Sequence, residues 1–421
     1  MSEIIVKGTK KLEGVLPVQG SKNSSLPILA ACVLVDGVSV LHNCPFLSDV
    51  DAAVRILRRL GCKVTRDGHT LTVDSRSVSC FDIPESLMRE MRSSIVFLGS
   101  LVSRCRRARL FTPGGCEIGL RPIDLHLSSL RALGVSIEDE GSALRFEVRE
   151  KLEGTTISLS FPSVGATENI ILASVFAKGR TTVLNAAREP EILDLADFLN
   201  KCGCKIFVGS QGTIVIDGVE KAHSCEHTII PDRIVALTYM SAVACCGGDV
   251  LFEKADTAHF LSATGVFEAA GCRLETKKDS VRIVSNGKLN AVRDIRTLPY
   301  PGFPTDAQAP VSAMLCTAEG TSVIVENIFE NRFNHVGELV RMGARIKVEG
   351  RVAIIDGVKT LHGANVRAVD LRAGSALVVA ALAAEGKTVI SDIRHIDRGY
   401  EEIEKCLRSL GAQIERSAEI G

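Results

Sequence analysis

Leu57-Arg58-Arg59-Leu60-Gly61-Cys62-Lys63-Val64 is written along this chain six times in slightly different letters. The first half repeats it as Leu130-Arg-Ala-Leu-Gly-Val-Ser-Ile137 and Leu199-Asn-Lys-Cys-Gly-Cys-Lys-Ile206. The second half has Phe267-Glu-Ala-Ala-Gly-Cys-Arg-Leu274, Leu339-Val-Arg-Met-Gly-Ala-Arg-Ile346 and Leu407-Arg-Ser-Leu-Gly-Ala-Gln-Ile414. Between the marker glycines at 61, 134, 203, 271, 343 and 411 the gaps are 73, 69, 68, 72 and 68 residues, and such self-similarity is the signature of a repeated structural unit. Each marker reads as the end of an amphipathic helix stopped by glycine, then a strand of alternating apolar and polar residues. Most copies continue into a second strand, as at His69 to Val73, Leu144 to Val148, Thr213 to Ile216 and Val352 to Ile355, so a hairpin follows each helix.

A second element recurs in the same register. Helices of small residues are predicted at Ser24 to Leu34, Thr167 to Phe176, Ile234 to Cys246, Ala307 to Ala318 and Gly374 to Ala384, several running through glycine into a strand. A unit of about 70 residues is longer than a solenoid repeat, and six of them suit two compact three-fold domains. Helices rich in Ala, Ser and Cys pack closely, which puts helices inside and sheets outside. The fold class expected is α/β (α+β), a pair of inside-out barrels with three repeats each. The first strand, Ile4-Ile-Val6, is expected to serve the C-terminal half, so the domains are 22–229, and 1–21 with 230–421, with a cleft between similar lobes.

Bulk composition narrows the function. The chain has 421 residues, 46 % hydrophobic and 24 % charged, enough for a large core. Fifty basic residues balance fifty acidic ones, so an anionic ligand must be met by local clusters and no net field holds a nucleic acid or an anionic membrane. Aromatic content of 4 % without tryptophan leaves no stacking platform for single strands. Met1 to Gly14 lacks the apolar run of a signal peptide and no stretch is long enough to span a membrane, which points to the cytoplasm. Most of the fourteen cysteines sit in apolar runs and read as small buried hydrophobes. Neither Cys202-Gly-Cys204 nor Cys245-Cys246 has zinc-ribbon spacing, and His223 and His227 share no helical face, so no metal site is expected.

Four segments gather chemistry. Thr112-Pro-Gly-Gly-Cys-Glu-Ile-Gly-Leu-Arg-Pro-Ile-Asp124 offers one thiol, Cys116, in a glycine-rich loop that can be a lid or a fixed turn, with Arg104, Arg106, Arg107, Arg109 and Arg121 nearby to favour thiolate. Gly20-Ser-Lys-Asn-Ser-Ser25 puts Lys22 at a helix start, where anions bind. Thr297 to Gln308 holds Asp306 behind three prolines, as a helix cap or as a positioned proton acceptor. Glu326 to Phe333, Asp370-Leu-Arg372 and Ile396-Asp-Arg-Gly-Tyr400 each bring an arginine suited to phosphate or carboxylate oxygens.

Taken together these residues resemble the UDP-N-acetylglucosamine 1-carboxyvinyltransferases, the enolpyruvyl transferases that open bacterial cell-wall (peptidoglycan) precursor synthesis. The resemblance runs essentially end to end. It is carried by Ser21-Lys-Asn23, Met91-Arg-Ser-Ser94, Pro113 to Pro122 with Asp124-Leu-His126, Ser163-Val-Gly-Ala-Thr167, Phe303-Pro-Thr-Asp-Ala-Gln308, Phe329-Glu-Asn-Arg332, Asp370-Leu-Arg-Ala373 and His395 to Tyr400. It implies that the sugar 3'-hydroxyl of UDP-N-acetylglucosamine adds to C2 of phosphoenolpyruvate, and that the tetrahedral adduct then loses phosphate. It further implies that Cys116, Asp306, Lys22 and Arg398 are catalytic, with Cys116 the site of attack on the epoxide fosfomycin. Phosphoenolpyruvate would be held by Lys22, Asn23, Arg121 and Arg398. The sugar nucleotide would be held by Arg92, Arg121, Pro122, Ile123, Asp124, Leu125, Ser163, Val164, Gly165, Asp306 and Ile328, with Arg332 and Arg372 as further site cations. No cofactor and no metal are implied, and the partners are the two small-molecule substrates, without nucleic acid, membrane or obligate protein. Some relatives have a lysine near Ser163, where this chain reads Ser160-Phe-Pro-Ser163. A sister enzyme acting on shikimate 3-phosphate and a regulator that only binds sugar nucleotide are the rival readings. The Cys116 loop argues against the first, and the intact Lys22, Cys116, Asp306 and Arg398 against the second.

Overall fold

All six marker glycines adopt left-handed backbone angles, with φ between 91° and 105°. A residue with a side chain is strained there, so glycine at this place both ends the helix and aims the next strand. The computed structural model, which describes residues 2–111 and 123–417, has these helices at Ser48–Leu60, Asp124–Ala132, Pro190–Lys201, Leu261–Ala269, Val336–Arg341 and Ile403–Ser409. The residue after the motif's first position adds a second clasp. Arg58 donates to the carbonyl of Val64 at 3.0 Å, Asn200 to that of Ile206 at 2.8 Å, and Arg408 to that of Ile414 at 2.8 Å. In these three repeats one side chain thus ties the helix end to the strand that follows, which explains why the eight residues recur as a block.

The described residues divide into two compact units, residues 20–111 with 123–230, and residues 2–19 with 231–417. Each has its own hydrophobic core. In the first unit the central helices are Lys22–Cys32, Phe97–Cys105 and Val164–Ser174; in the second they are Arg233–Cys246, Gln308–Leu315 and Leu371–Ala383. Burial is nearly complete around their circumference: every residue of Gln308–Leu315 is buried, and all of Arg233–Cys246 but the arginine. A helix apolar on all sides must lie inside a protein, and the Ala, Ser and Gly content lets neighbouring helices approach closely. Five of the six correspond to the predicted small-residue helices; Phe97–Cys105 was not among them.

Among the described residues three sheets clothe the helices of the first unit, and three four-stranded sheets with one two-stranded sheet clothe those of the second. The commonest plan is a parallel pair joined to the marker hairpin, as where Glu226–Thr228 runs parallel to Val38–His42, which pairs antiparallel with Thr70–Asp74 and so with Lys63–Asp67. In the second unit the plan needs residues from both ends of the sequence. Ile4–Lys7 lies between Lys387–Ser391 and Gln413–Arg416, with Ile4 opposite Ile390 on one side and Arg416 on the other. Leu12–Pro17 runs parallel to Gly248–Glu253.

Candidate active site

In the second unit the structure ties three of the expected site residues directly together. Asp306 sits in the 3-10 turn Thr305–Ala307 and gives one oxygen to Arg332 and the other to Arg372, the latter at 2.8 Å. Both guanidinium groups are buried, at 5 % and 4 % exposure, while the carboxylate remains partly open. Burial disfavours the charge on Arg372, but Asp306, Tyr400 and Asp232 outweigh it and raise its pKa. Its other arm donates to the Tyr400 hydroxyl at 3.2 Å, which bonds Thr238 at 2.8 Å. Each carboxylate oxygen has a second lone pair, so Asp306 is fixed in direction and still able to accept a proton.

What places this turn is Glu326, a fully buried carboxylate. It accepts from the hydroxyls of Thr297 and Thr305 at 2.9 Å each, and from the amides of Ile328 and Phe329 at 2.8 and 3.0 Å. One acid therefore joins the residue before Asp306 to the loop that carries Ile328 and Arg332. Arg398 ends the 3-10 turn Ile393–Arg398, half-buried. That turn is pressed on the helix bearing Arg372: a Cβ on Gly374 would stand 2.6 Å from Ile396. Gln19 clasps the same corner, donating to the Gly399 carbonyl at 3.2 Å and accepting from the Glu401 amide at 2.9 Å. His335, buried near Arg332 and Asp370, has its pKa lowered to about 4, chiefly by desolvation.

The first unit holds the other cluster. Lys22 opens its helix behind the Ser21 cap and pairs with buried Asp49 at 2.8 Å. Asn23 beside it is the one residue of that helix left partly exposed. Ser163 caps Val164–Ser174, and Ser163, Val164 and Gly165 are all partly exposed at its start. A Cβ on Gly165 would come within 3.1 Å of His126, which brings this helix start against Ile123, Asp124 and Leu125 at the start of Asp124–Ala132. Asn169 locks the arrangement: its amide group donates to His126 Nδ1 at 2.8 Å and to the Ile95 carbonyl at 3.0 Å, and its oxygen accepts from the Gly99 amide at 2.6 Å. Desolvation, opposed by Asp124, lowers the His126 pKa to about 4, so the ring is neutral and its proton is on Nε2. The turn Arg92–Val96 packs on the helices of Lys22 and Ser163. Cys116, Arg121 and Pro122 lie outside the described residues, as does the side chain of Arg92.

Glu326, Asp49 and Asn169 were missed in the sequence. A buried Glu at a strand end is written like any exposed one, and only its partners, up to 29 positions away, reveal it. Among the described residues no group of three or more His, Cys, Asp or Glu could hold a metal ion.

Residues 6–407 match the family model described as EPSP synthase (3-phosphoshikimate 1-carboxyvinyltransferase). The chain is 52 % identical over 416 residues to UDP-N-acetylglucosamine 1-carboxyvinyltransferase 2 of Caldanaerobacter subterraneus, covering 99 % of this chain and all of that one. It is 47 % identical to UDP-N-acetylglucosamine 1-carboxyvinyltransferase 1 of Symbiobacterium thermophilum, over 98 % of this chain and 94 % of the other. Among solved structures, the enolpyruvyl transferase NikO from Streptomyces tendae superposes with a TM-score of 0.90 at 26 % identity, over 99 % of both chains. EPSP synthase from Acinetobacter baumannii shares the fold, with a TM-score of 0.74 at 18 % identity over 99 % of this chain and 100 % of that one. The inside-out α/β architecture read from the repeats is the architecture observed, and by full-length identity the chain belongs to the family of UDP-N-acetylglucosamine 1-carboxyvinyltransferases.

Proposed function

We propose that this protein transfers the enolpyruvyl group of phosphoenolpyruvate to the 3'-hydroxyl of UDP-N-acetylglucosamine with release of phosphate, the first committed step of peptidoglycan synthesis. The observation that carries this reading is identity of 52 % over almost the whole chain to a relative bearing that activity's name. The reaction is addition followed by elimination. The hydroxyl oxygen bonds to C2 of phosphoenolpyruvate as a proton reaches C3; the adduct then loses that methyl proton and phosphate to leave the enol ether.

The parts assigned to the residues belong to the same proposal. Lys22, Arg121 and Arg398 hold the phosphate and carboxylate of phosphoenolpyruvate, and Asn23 orients the adduct. The Lys22 ammonium at a helix start supports this, since helix dipole and charge act together on an anion. Asp306 takes the hydroxyl proton; its two guanidinium partners, which fix its direction, support that role. Cys116 serves proton transfer to the methylene carbon or product release. Arg92, Arg121, Pro122, Ile123, Asp124, Leu125, Ser163, Val164, Gly165, Asp306 and Ile328 hold the sugar nucleotide, and the contact of Gly165 with His126 supports grouping the described first-unit members. The lobes proposed are 22–229, and 1–21 with 230–421. Among the described residues no helix is long and apolar enough to cross a membrane. We place the enzyme in the cytoplasm, with two small-molecule substrates and no nucleic acid, membrane or obligate protein partner.

Phosphate release from phosphoenolpyruvate, measured with UDP-N-acetylglucosamine and separately with shikimate 3-phosphate, tests the reading. Release with the first acceptor alone is expected; release only with the second, or sugar-nucleotide binding without turnover, would overturn it. Asp306→Asn should lower kcat by about 10²–10⁴-fold, the range for loss of a positioned proton acceptor.

A further inference from the structure

Two thiols of the first unit, distant in sequence, lie against each other. Cys202 follows the helix Pro190–Lys201 as its C-terminal cap, and Cys225 immediately precedes the strand Glu226–Thr228. Their sulfurs are 3.2 Å apart, with the Cys202 thiol donating to Cys225. Both backbones are anchored. The Cys204 amide donates to the Leu199 carbonyl at 3.0 Å, the His223 amide to the Cys202 carbonyl at 2.9 Å, and the Val40 amide to the Cys225 carbonyl at 3.0 Å. Elements held this way keep the sulfurs in register, about 1 Å farther apart than the roughly 2.05 Å of a disulfide.

The two sulfurs differ in exposure. Cys202 is wholly buried, whereas Cys225, packed on the core between exposed Ser224 and Glu226, is half-buried and the more exposed of the two. Chemistry ranks them in the same order. The hydrogen bond from Cys202 lowers the Cys225 pKa against desolvation, and nearby Lys201 adds to this, while Cys202 is raised. By contrast burial pushes Cys44, Cys62 and Cys316 up to about 12, leaving them thiols. An accessible, low-pKa thiol beside a resolving thiol is the arrangement that redox chemistry uses.

We propose that Cys225 and Cys202 form a reversible oxidant-responsive site, in which a small peroxide oxidises Cys225 and Cys202 resolves it to a disulfide. The Cys225 thiolate attacks one peroxide oxygen and the O–O bond breaks. This leaves Cys225 as a sulfenic acid and, with hydrogen peroxide, a hydroxide that takes up a proton to become water. The Cys202 sulfur then attacks the Cys225 sulfur, gives up its proton and expels hydroxide, which together leave as a second water. Two thiols have lost two electrons to one peroxide, and a dithiol reductant reverses the change. The bond would join the helix end to the strand that carries His227. His227 donates to Asp194 at 2.9 Å, and the other oxygen of Asp194 accepts from Ser24, two residues after Lys22.

The test is a non-reducing peptide map of the intact chain after brief hydrogen peroxide and alkylation of the remaining thiols. A link between the peptides of Cys202 and Cys225, removed by dithiothreitol, is expected, with Cys44, Cys62 and Cys316 still alkylated after unfolding. In Cys202→Ser the link should vanish and a dimedone adduct should mark Cys225. In Cys225→Ser, Cys202 should stay a thiol. If Cys225 of the folded, unmodified chain stays a free thiol while Cys116 oxidises, or if Cys225 pairs with another cysteine, the proposal fails. The unmodified chain carries that decision, so a poorly folding variant does not remove it.

Discussion

Glu326 is a single side chain on which two loops depend, because four donors converge on its one carboxylate. Glu326→Gln replaces one accepting oxygen by an amide that faces donors. It should cost about 1–3 kcal/mol of stability and lower kcat/KM about 10-fold or more as Thr305 and Ile328 shift, read by urea unfolding and by steady-state kinetics. Glu168 shows the opposite case. It is 8 % exposed, and burial, with Glu191 and Glu189 nearby, raises its pKa well above the usual value. A raised carboxyl pKa favours folding below the unfolded-state pKa, and that contribution is lost as pH climbs through the folded value. Glu168→Gln mimics the protonated acid, so its Tm should exceed that of the unmodified chain by about 2–4 °C at neutral pH. Near pH 4.5, the ordinary value for this carboxyl, the gap should close. An equal gap at both pH values would refute the account. At this scale the sequence singled out Asp306, Arg332 and Arg372, where residue type and place in a motif coincide, and the structure ties these three together. The sequence was silent on Glu326 and Asn169, whose roles lie wholly in partners brought from elsewhere.

Helices and turns were read with more success, for a reason visible in the six marker glycines. A left-handed stop after an amphipathic helix is a local event, and local events leave local letters. The five small-residue helices that were predicted all contain both Ala and Ser. Phe97–Cys105 escaped because Phe, Leu and Val make up four of its nine residues, it has no alanine, and an arginine lies in its last turn, so the run looks like an ordinary buried segment. How tightly elements meet was not legible. Gly374 allows the turn that ends in Arg398 to lie on the helix of Arg372, with Ile396 Cγ1 and Ala368 Cβ 2.6 and 3.1 Å from where a methyl would stand. Gly374→Ala gains helix propensity yet must push that turn away. We expect a net loss of about 1–3 kcal/mol and a raised KM for phosphoenolpyruvate, measured by thermal unfolding and initial rates. A variant more stable than its parent with unchanged KM would show that the contact yields freely.

At the scale of the whole molecule, the sequence period announced six units, and what they build among the described residues is three larger sheets about three central helices in each half, with one small two-stranded sheet besides in the second. The last sheet is completed only by the first strand, Ile4–Lys7, which bonds to strands on both sides. Removing residues 2–10 should open both of those strands' edges and sensitise residues 231–417 to limited proteolysis, while residues 20–111 stay protected; uniform digestion of both units would contradict this. The same strand sets a timetable for manufacture. The unit of residues 20–111 and 123–230 is complete once residue 230 has been made and can fold as it leaves the ribosome, whereas Ile4 must wait until Ile390 has been added. At the usual pace of synthesis that delay is roughly 20–80 s, during which an apolar segment with two open edges is tethered to a finished neighbour. Crowded nascent chains are exposed to mispairing throughout that interval, so the yield of native enzyme should depend on translation speed and on chaperones that shield the leading segment.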